Sequence, residues 1–215
     1  MKNVISTLLS AMLLVVIPTI GHASTATETT ASASDDKSGF VWGLQILAGG
    51  RFDNVRMCVA TPAGVKGGPA MDITVFAEIP IKRAISLGIH LPVFRPVMFG
   101  AAFKMLQFEP EVSLLIRAKQ GIKTDLIVGP TLGITLHYGP DYTSAGSGDN
   151  RGPAFFALGP RIGAYLGIDF KRPKRTFNFQ LGFEPYVSPL IGVNDPNEHV
   201  GVVAGVMLIG GLRFS

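Results

Sequence analysis

AFFALGPRIGAYLGIDF, residues 154–170, alternates with a period of two. Leu158, Pro160, Ile162, Ala164, Leu166 and Ile168 fall on one face. Gly159, Arg161, Gly163, Tyr165, Gly167 and Asp169 fall on the other. Successive side chains of a strand point to opposite faces, whereas a helix groups residues three and four apart. Seventeen residues of unbroken alternation therefore predict one long strand, apolar on one side and polar or small on the other.

The same pattern recurs on both sides of this segment. Toward the N-terminus it covers residues 124–138, 106–117, 84–93, 71–80 and 40–49, and toward the C-terminus 176–189 and 200–214. In residues 71–80, Ile73, Val75, Ala77 and Ile79 alternate with Asp72, Thr74, Phe76 and Glu78. In 106–117, Phe108, Pro110, Val112, Leu114 and Ile116 alternate with Gln107, Glu109, Glu111 and Ser113. Val203, Met207 and Ile209 make the polar face of the last segment less polar. Eight strands are predicted, and the connections between them alternate in length. Short ones centre on Lys82-Arg83, on Lys119-Gln120-Gly121 and on Lys171 to Lys174. Long ones cover roughly residues 50–69, 94–105, 139–153 and 190–199. Tight turns on one rim and long loops on the other mark an antiparallel barrel of the outer-membrane kind, with its turns in the periplasm. An even strand number returns both termini to the turn side.

The N-terminus is read as an address. Lys2 precedes an almost wholly apolar run, residues 4–20, and Gly21-His22-Ala23 offers the small residues of a cleavage site. Residues 1–23 are expected to be a secretory signal peptide. Residues 24–38, STATETTASASDDKS, lack any large apolar side chain and are expected to form a flexible periplasmic tail. Residues 39–215 are left for one barrel domain. Charged residues make up 16% of the chain, against roughly 25% in average globular proteins. Glycine is abundant at 26 residues, yet the mature part has no apolar run of helix-spanning length. Cys58 is the only cysteine, so no disulfide framework exists.

Alternation does not say which face points outward, because a soluble barrel would bury the apolar one. Glycines crowd the polar face at 129, 133, 159, 163, 167, 182, 201 and 205, as a narrow lumen with large inward partners requires. Aromatic residues gather on the apolar face at the turn-side strand ends: Phe40, Trp42, Phe170, Phe177 and Phe214. They form one expected interfacial girdle; Tyr138 and Phe156 begin the other. The polar face also mixes acids with bases that can pair in a lumen. The apolar face is therefore assigned to lipid. In strand count and pattern the whole domain resembles the OmpA-like group of small outer-membrane barrels. That resemblance implies a bacterial outer-membrane location, contact with outer-membrane lipids and handling by the barrel assembly machinery. The group's assembly signal ends in an aromatic residue, whereas Phe214 here is penultimate.

An internal repeat adds detail. FEPEVSLL (residues 108–115) returns as FEPYVSPL (183–190), and VGPTLG (128–133) as LGPRIG (158–163). Each of the fourth to seventh strands thus carries a proline, which removes a ladder hydrogen bond. Turn centres near residue 120 and between 172 and 173 set Pro110 opposite Pro130 and Pro160 opposite Pro185. A bulge or ladder break is predicted at that level. The same register sets Arg161 opposite Glu184. Arg161, Glu184, Glu109, Glu111, Arg117, Asp72 and Glu78 are the expected lumen ionic network. A plug is the favoured reading; the alternative is that the acids line a narrow cation path.

Signs of chemistry are sparse. His90 and His137 lie on the polar face with no serine at a suggestive spacing, and His199 follows Glu198 in a loop. No metal motif, phosphate loop or nucleophile elbow is present, and no cofactor is expected. Basic residues concentrate in the turns: Lys82, Arg83, Lys119, Lys123, Lys171, Arg172, Lys174 and Arg175. A rim of turns is not a nucleic-acid recognition element. Contact with anionic phospholipid heads and simple solvation both fit it. The apolar connection over residues 94–103 is expected to fold over the mouth, extend its flanking strands or touch lipid. Residues 140–151, rich in Gly, Ser and Asp, read as a mobile loop. The expected role is structural or interactive and not enzymatic. A narrow conduit for solutes or ions is the alternative, and a lipid-modifying enzyme has the least support.

Overall fold

Alternating residues need a wall with one dry face and one lined by partners, and the chain builds that wall as a ring. A computed structural model describes residues 39–53, 68–103, 106–141, 152–172, 176–193 and 201–214. The expected signal peptide, tail, Cys58, Lys174, Arg175, His199 and most of the 140–151 loop lie outside the described residues. The strands are β1 (Val41–Asp53), β2 (Gly68–Lys82), β3 (Ile85–Pro92), β4 (Leu106–Phe108), β5 (Glu111–Gln120), β6 (Thr124–Asp141), β7 (Gly152–Phe170), β8 (Phe177–Gly192) and β9 (Gly201–Phe214). One helix, α1 (Phe94–Phe103), follows β3.

Consecutive strands pair antiparallel, and β1 closes on β9 with Trp42 opposite Phe214. Both β4 and β5 pair with β6, so they are two halves of one ring position, and the closed barrel has eight. Residues 109 and 110, between the halves, belong to neither strand. The ends of β1 and β9 meet on the side of the short turns.

The outward face is the apolar one. Ile46 is 58% exposed and Leu181 57%, whereas their neighbours Gln45 and Gln180 are 1% and 3% exposed. Among the described residues no helix is long and apolar enough to cross a membrane, which says nothing of strands.

The prolines mark seams. The β5–β6 ladder skips Pro130, the strand break holds Pro110, and the β7–β8 ladder skips Pro160 and Pro185. The β6–β7 ladder runs unbroken through Pro130 and Pro160. In an antiparallel pair a residue aims its N and C=O at the same neighbour. Each proline thus spoils one side only, and the predicted ladder break is present. The predicted facing pairs are not. Glu111 pairs with Gly133, which carries Pro110 opposite Ile134, whose N–H donates to the Pro110 carbonyl at 3.1 Å. Between Leu158↔Ile191 and Ile162↔Val187, the register carries Pro160 opposite Pro189, and Pro185 falls opposite Ala164. The cause is turn length. The β5–β6 turn closes around Gly121, whose N–H donates to the Thr124 carbonyl at 2.8 Å, so its centre lies beyond residue 120. A register moved by an even number of residues leaves every side chain on its predicted face.

The connection over residues 94–103 is neither a strand extension nor an irregular loop. It is helical, with Val97 69% exposed and Arg95 buried.

Candidate functional site

Among the described residues the lumen gathers the charged side chains held away from water, in three layers. The turn-side layer centres on Glu78 of β2. Arg117 of β5 donates to its carboxylate from Nη2 at 2.5 Å and to Ser86 Oγ from Nη1 at 2.8 Å. Arg213 of β9 bridges Glu78 and Asp169 of β7. Asp125 of β6 takes Lys171 at 2.8 Å, with Arg117 Nε at 3.8 Å.

The middle layer is uncharged hydrogen bonding. Gln45 Nε2 donates to Gln180 Oε1 at 3.0 Å, and Gln180 Nε2 donates to Tyr165 Oη at 2.7 Å. His90 joins Gln45 Oε1 through Nδ1 at 3.2 Å and Ser113 Oγ through Nε2 at 2.9 Å. A serine therefore does sit against His90, contrary to the sequence reading, because pairing of β3 with β5 brings together residues 23 apart. The order serine, histidine, amide is that of a nucleophile, base and orienting group. Ser113 is 2% exposed, buried in the lumen.

The loop-side layer centres on Glu109. Its carboxylate meets Arg51 Nη1 at 3.2 Å, Arg95 Nη2 at 3.2 Å, His137 Nε2 at 3.1 Å and Arg161 Nη1 at 3.7 Å. Arg161 further joins Glu111 at 3.1 Å and Glu184 at 2.8 Å, and its guanidinium lies 3.8 Å from the Tyr186 ring centroid. Thr131 Oγ1 donates to Glu184 at 3.0 Å. Asp72 takes the Arg95 backbone N–H at 3.0 Å and its Nε at 3.1 Å.

The two repeats account for the heart of this layer. Glu109 and Glu184 each precede the proline of FEP, while Thr131 and Arg161 each follow the proline of GPx. The pyrrolidine rings take the outward parity, so the residues beside them point in. Arg161 and Glu184 pair although they are not cross-strand neighbours: the register places Arg161 nearest Ser188, and the long guanidinium spans the difference.

Of the seven residues singled out from sequence, Glu109, Glu111, Asp72, Arg161 and Glu184 lie in the loop-side layer, and Glu78 and Arg117 in the turn-side layer. Arg51, Arg95, Asp125, Asp169 and Arg213 complete the layers. Arg95 had no sequence signal beyond being the one charge in an apolar connection; the helix turns it inward. Among the described residues no three His, Cys, Asp or Glu are placed to hold a metal ion.

Glycines leave room for the network. A Cβ on Gly163 would lie 2.5 Å from Thr131 Oγ1 and 2.9 Å from both Glu184 Oε1 and the Pro185 carbonyl. On the outer wall, Trp42 stacks on Phe214 at 4.6 Å between centroids, and Phe177 lies 6.5 Å from Phe214. Phe170 pairs across the ladder with Phe179, and Phe40 is 59% exposed beside β1.

No family model matches the chain, and no curated protein matches it in sequence. Solved structures do. Neisserial surface protein A aligns over 82% of this chain and 97% of its own, at 12% identity and a TM-score of 0.53. The N-terminal β-barrel domain of Pseudomonas aeruginosa OprF covers 80% of this chain and 97% of its own at 13% identity and a TM-score of 0.38. The outer membrane protein OprG from the same organism covers 81% and 95% at 10% identity and a TM-score of 0.32. The closed ring, the apolar exterior and the likeness to the neisserial barrel together give this chain the fold of the small eight-stranded outer-membrane β-barrels.

Proposed function

We propose that this chain is a bacterial outer-membrane β-barrel with a structural or surface-interaction role and a lumen closed by its own side chains. Its turns and both termini face the periplasm, its apolar wall meets outer-membrane lipid, and the barrel assembly machinery inserts it, with Phe214 as the aromatic handle. The girdle of Phe40, Trp42, Phe170, Phe177 and Phe214 marks the turn-side interface. No catalytic step is assigned.

One observation carries this reading. Glu109 holds cations from β1, from α1 and from β7, together with the β6 imidazole, across the full width of the lumen. Eight strands enclose an interior just wide enough for side chains to fill. A carboxylate bound by three guanidiniums favours a lumen filled by side chains at that level over an open conduit. The test is conductance of the refolded protein in a planar bilayer. Silent membranes are expected; regular single-channel steps from the unmodified protein would establish the conduit instead. Steps found only in Arg161→Ala or Glu184→Ala would make the network a gate.

A further inference from the structure

We propose that the turn-side rim is a binding surface for anionic phospholipid headgroups, an inference that rests on the reading of the chain as a membrane barrel. Charge at this end is sorted by direction. The acids Glu78, Asp125 and Asp169 are buried and face the lumen, where Arg117, Arg213 and Lys171 neutralise them. Lys82, Arg83, Lys119, Lys123 and Arg172 are exposed on the rim. Among the described residues of the three turns, no exposed acid accompanies them.

The sequences of the long connections differ: they carry Arg56, Lys66, Lys104 and Arg151 against Asp53, Asp141, Asp149, Asp195 and Glu198, so the two signs nearly cancel. The excess of positive charge belongs to the turns.

The rim cations also sit beside apolar groups, as a headgroup boundary demands. Ile81, 56% exposed, precedes Lys82 and Arg83, and Ile122, 95% exposed, precedes Lys123. A fully solvated turn gains nothing from such isoleucines, whereas an acyl-chain boundary buries them. The Arg172 guanidinium lies 4.4 Å from the Phe179 centroid and 5.6 Å from that of Phe177. Its charge is thus held where the aromatic girdle ends. Long basic side chains place apolar stems in lipid and charged heads among phosphates, and clustered Lys and Arg attract anionic lipid.

Trp42 supplies the readout. It is the single tryptophan, is 50% exposed on the outer wall, and connects toward Arg172 through Phe214 and Phe177. The protein is refolded into vesicles mixing brominated with unbrominated lipid, and quenching gives the relative affinity of phosphatidylglycerol over phosphatidylcholine. A preference of about fivefold is expected, on the scale of one lipid engaging one cation. It should fall toward parity in about 1 M salt, where charges are screened within a few ångström. Replacing Lys82, Arg83, Lys119, Lys123 and Arg172 together by Gln should abolish it, while Lys→Arg exchanges at 82, 119 and 123 keep it. Equal quenching by both lipids in the unmodified protein overturns the proposal but leaves the membrane reading intact. Absence of quenching by either lipid overturns both. A lipid preference that survives high salt and the Gln variant overturns the rim assignment. Salt-sensitive sedimentation with peptidoglycan, without lipid preference, would give the rim to a glycan partner instead.

Discussion

Arg161→Ala removes the side chain on which the loop-side layer converges. Arg161 is 4% exposed, donates to Glu184 at 2.8 Å and is ion-paired with Glu111 at 3.1 Å and Glu109 at 3.7 Å, with the Tyr186 ring beneath it. At an effective dielectric near 20, each close pair has a gross Coulomb energy of about 5 kcal/mol. The desolvation of both partners has already offset most of that in the intact barrel. Truncation is different, because the carboxylates stay buried. Glu109 keeps Arg51, Arg95 and His137, and Glu184 keeps the Thr131 hydroxyl, but Glu111 loses its arginine. Stranding a buried partner costs about 3–5 kcal/mol. The assay is urea unfolding of the barrel in phospholipid vesicles, followed through Trp42. The midpoint should fall with the slope unchanged, so that the shift reads as stability. Arg161→Met combined with Glu111→Gln and Glu184→Gln should recover most of the loss, because no unpaired charge remains. A loss below about 1 kcal/mol for Arg161→Ala, the scale of exposed ion pairs, would refute the claim that these charges are coupled in a dry lumen.

Other expectations are independent of that one. Gly163→Val pushes a side chain into Glu184 and the fixed Pro185 carbonyl and should cost about 1–3 kcal/mol, whereas Gly50→Ala, which meets nothing, should leave the urea midpoint unchanged. Backbone amides at the β7–β8 seam should exchange with deuterium before those of the β6–β7 ladder, since local openings start where ladder bonds are missing. Phe214→Ala removes the stack on Trp42 and should cost about 0.5–1.5 kcal/mol beyond the lost area, read by the same urea titration. Ser113→Ala should lower stability by about 1 kcal/mol through the lost bond to His90, and lipase assays of the unmodified and variant barrels should be equally blank.

The sequence determined the wall of this protein. Alternation has a period of two, and over residues 156–170 the buried and exposed faces of β7, with Arg161 inward and Ile162 outward, follow it residue by residue. Strand count and the inward set Asp72, Glu78, Glu109, Glu111, Arg117, Arg161 and Glu184 come from the same periodicity, because a pleat leaves each side chain only two directions. Register was not legible. It depends on turn lengths, and an even slip preserves every face while changing every partner, so Pro160 meets Pro189 and not Pro185. Nor could alternation reveal what enters the lumen from outside the strands. Arg95 reaches Asp72 and Glu109 only because residues 94–103 coil into a helix at the mouth, and Ser113 meets His90 only because β3 and β5 are neighbours. Local pattern fixes the direction of a side chain, whereas its partners are fixed by closure of the ring, which brings β1 to β9 across the length of the chain.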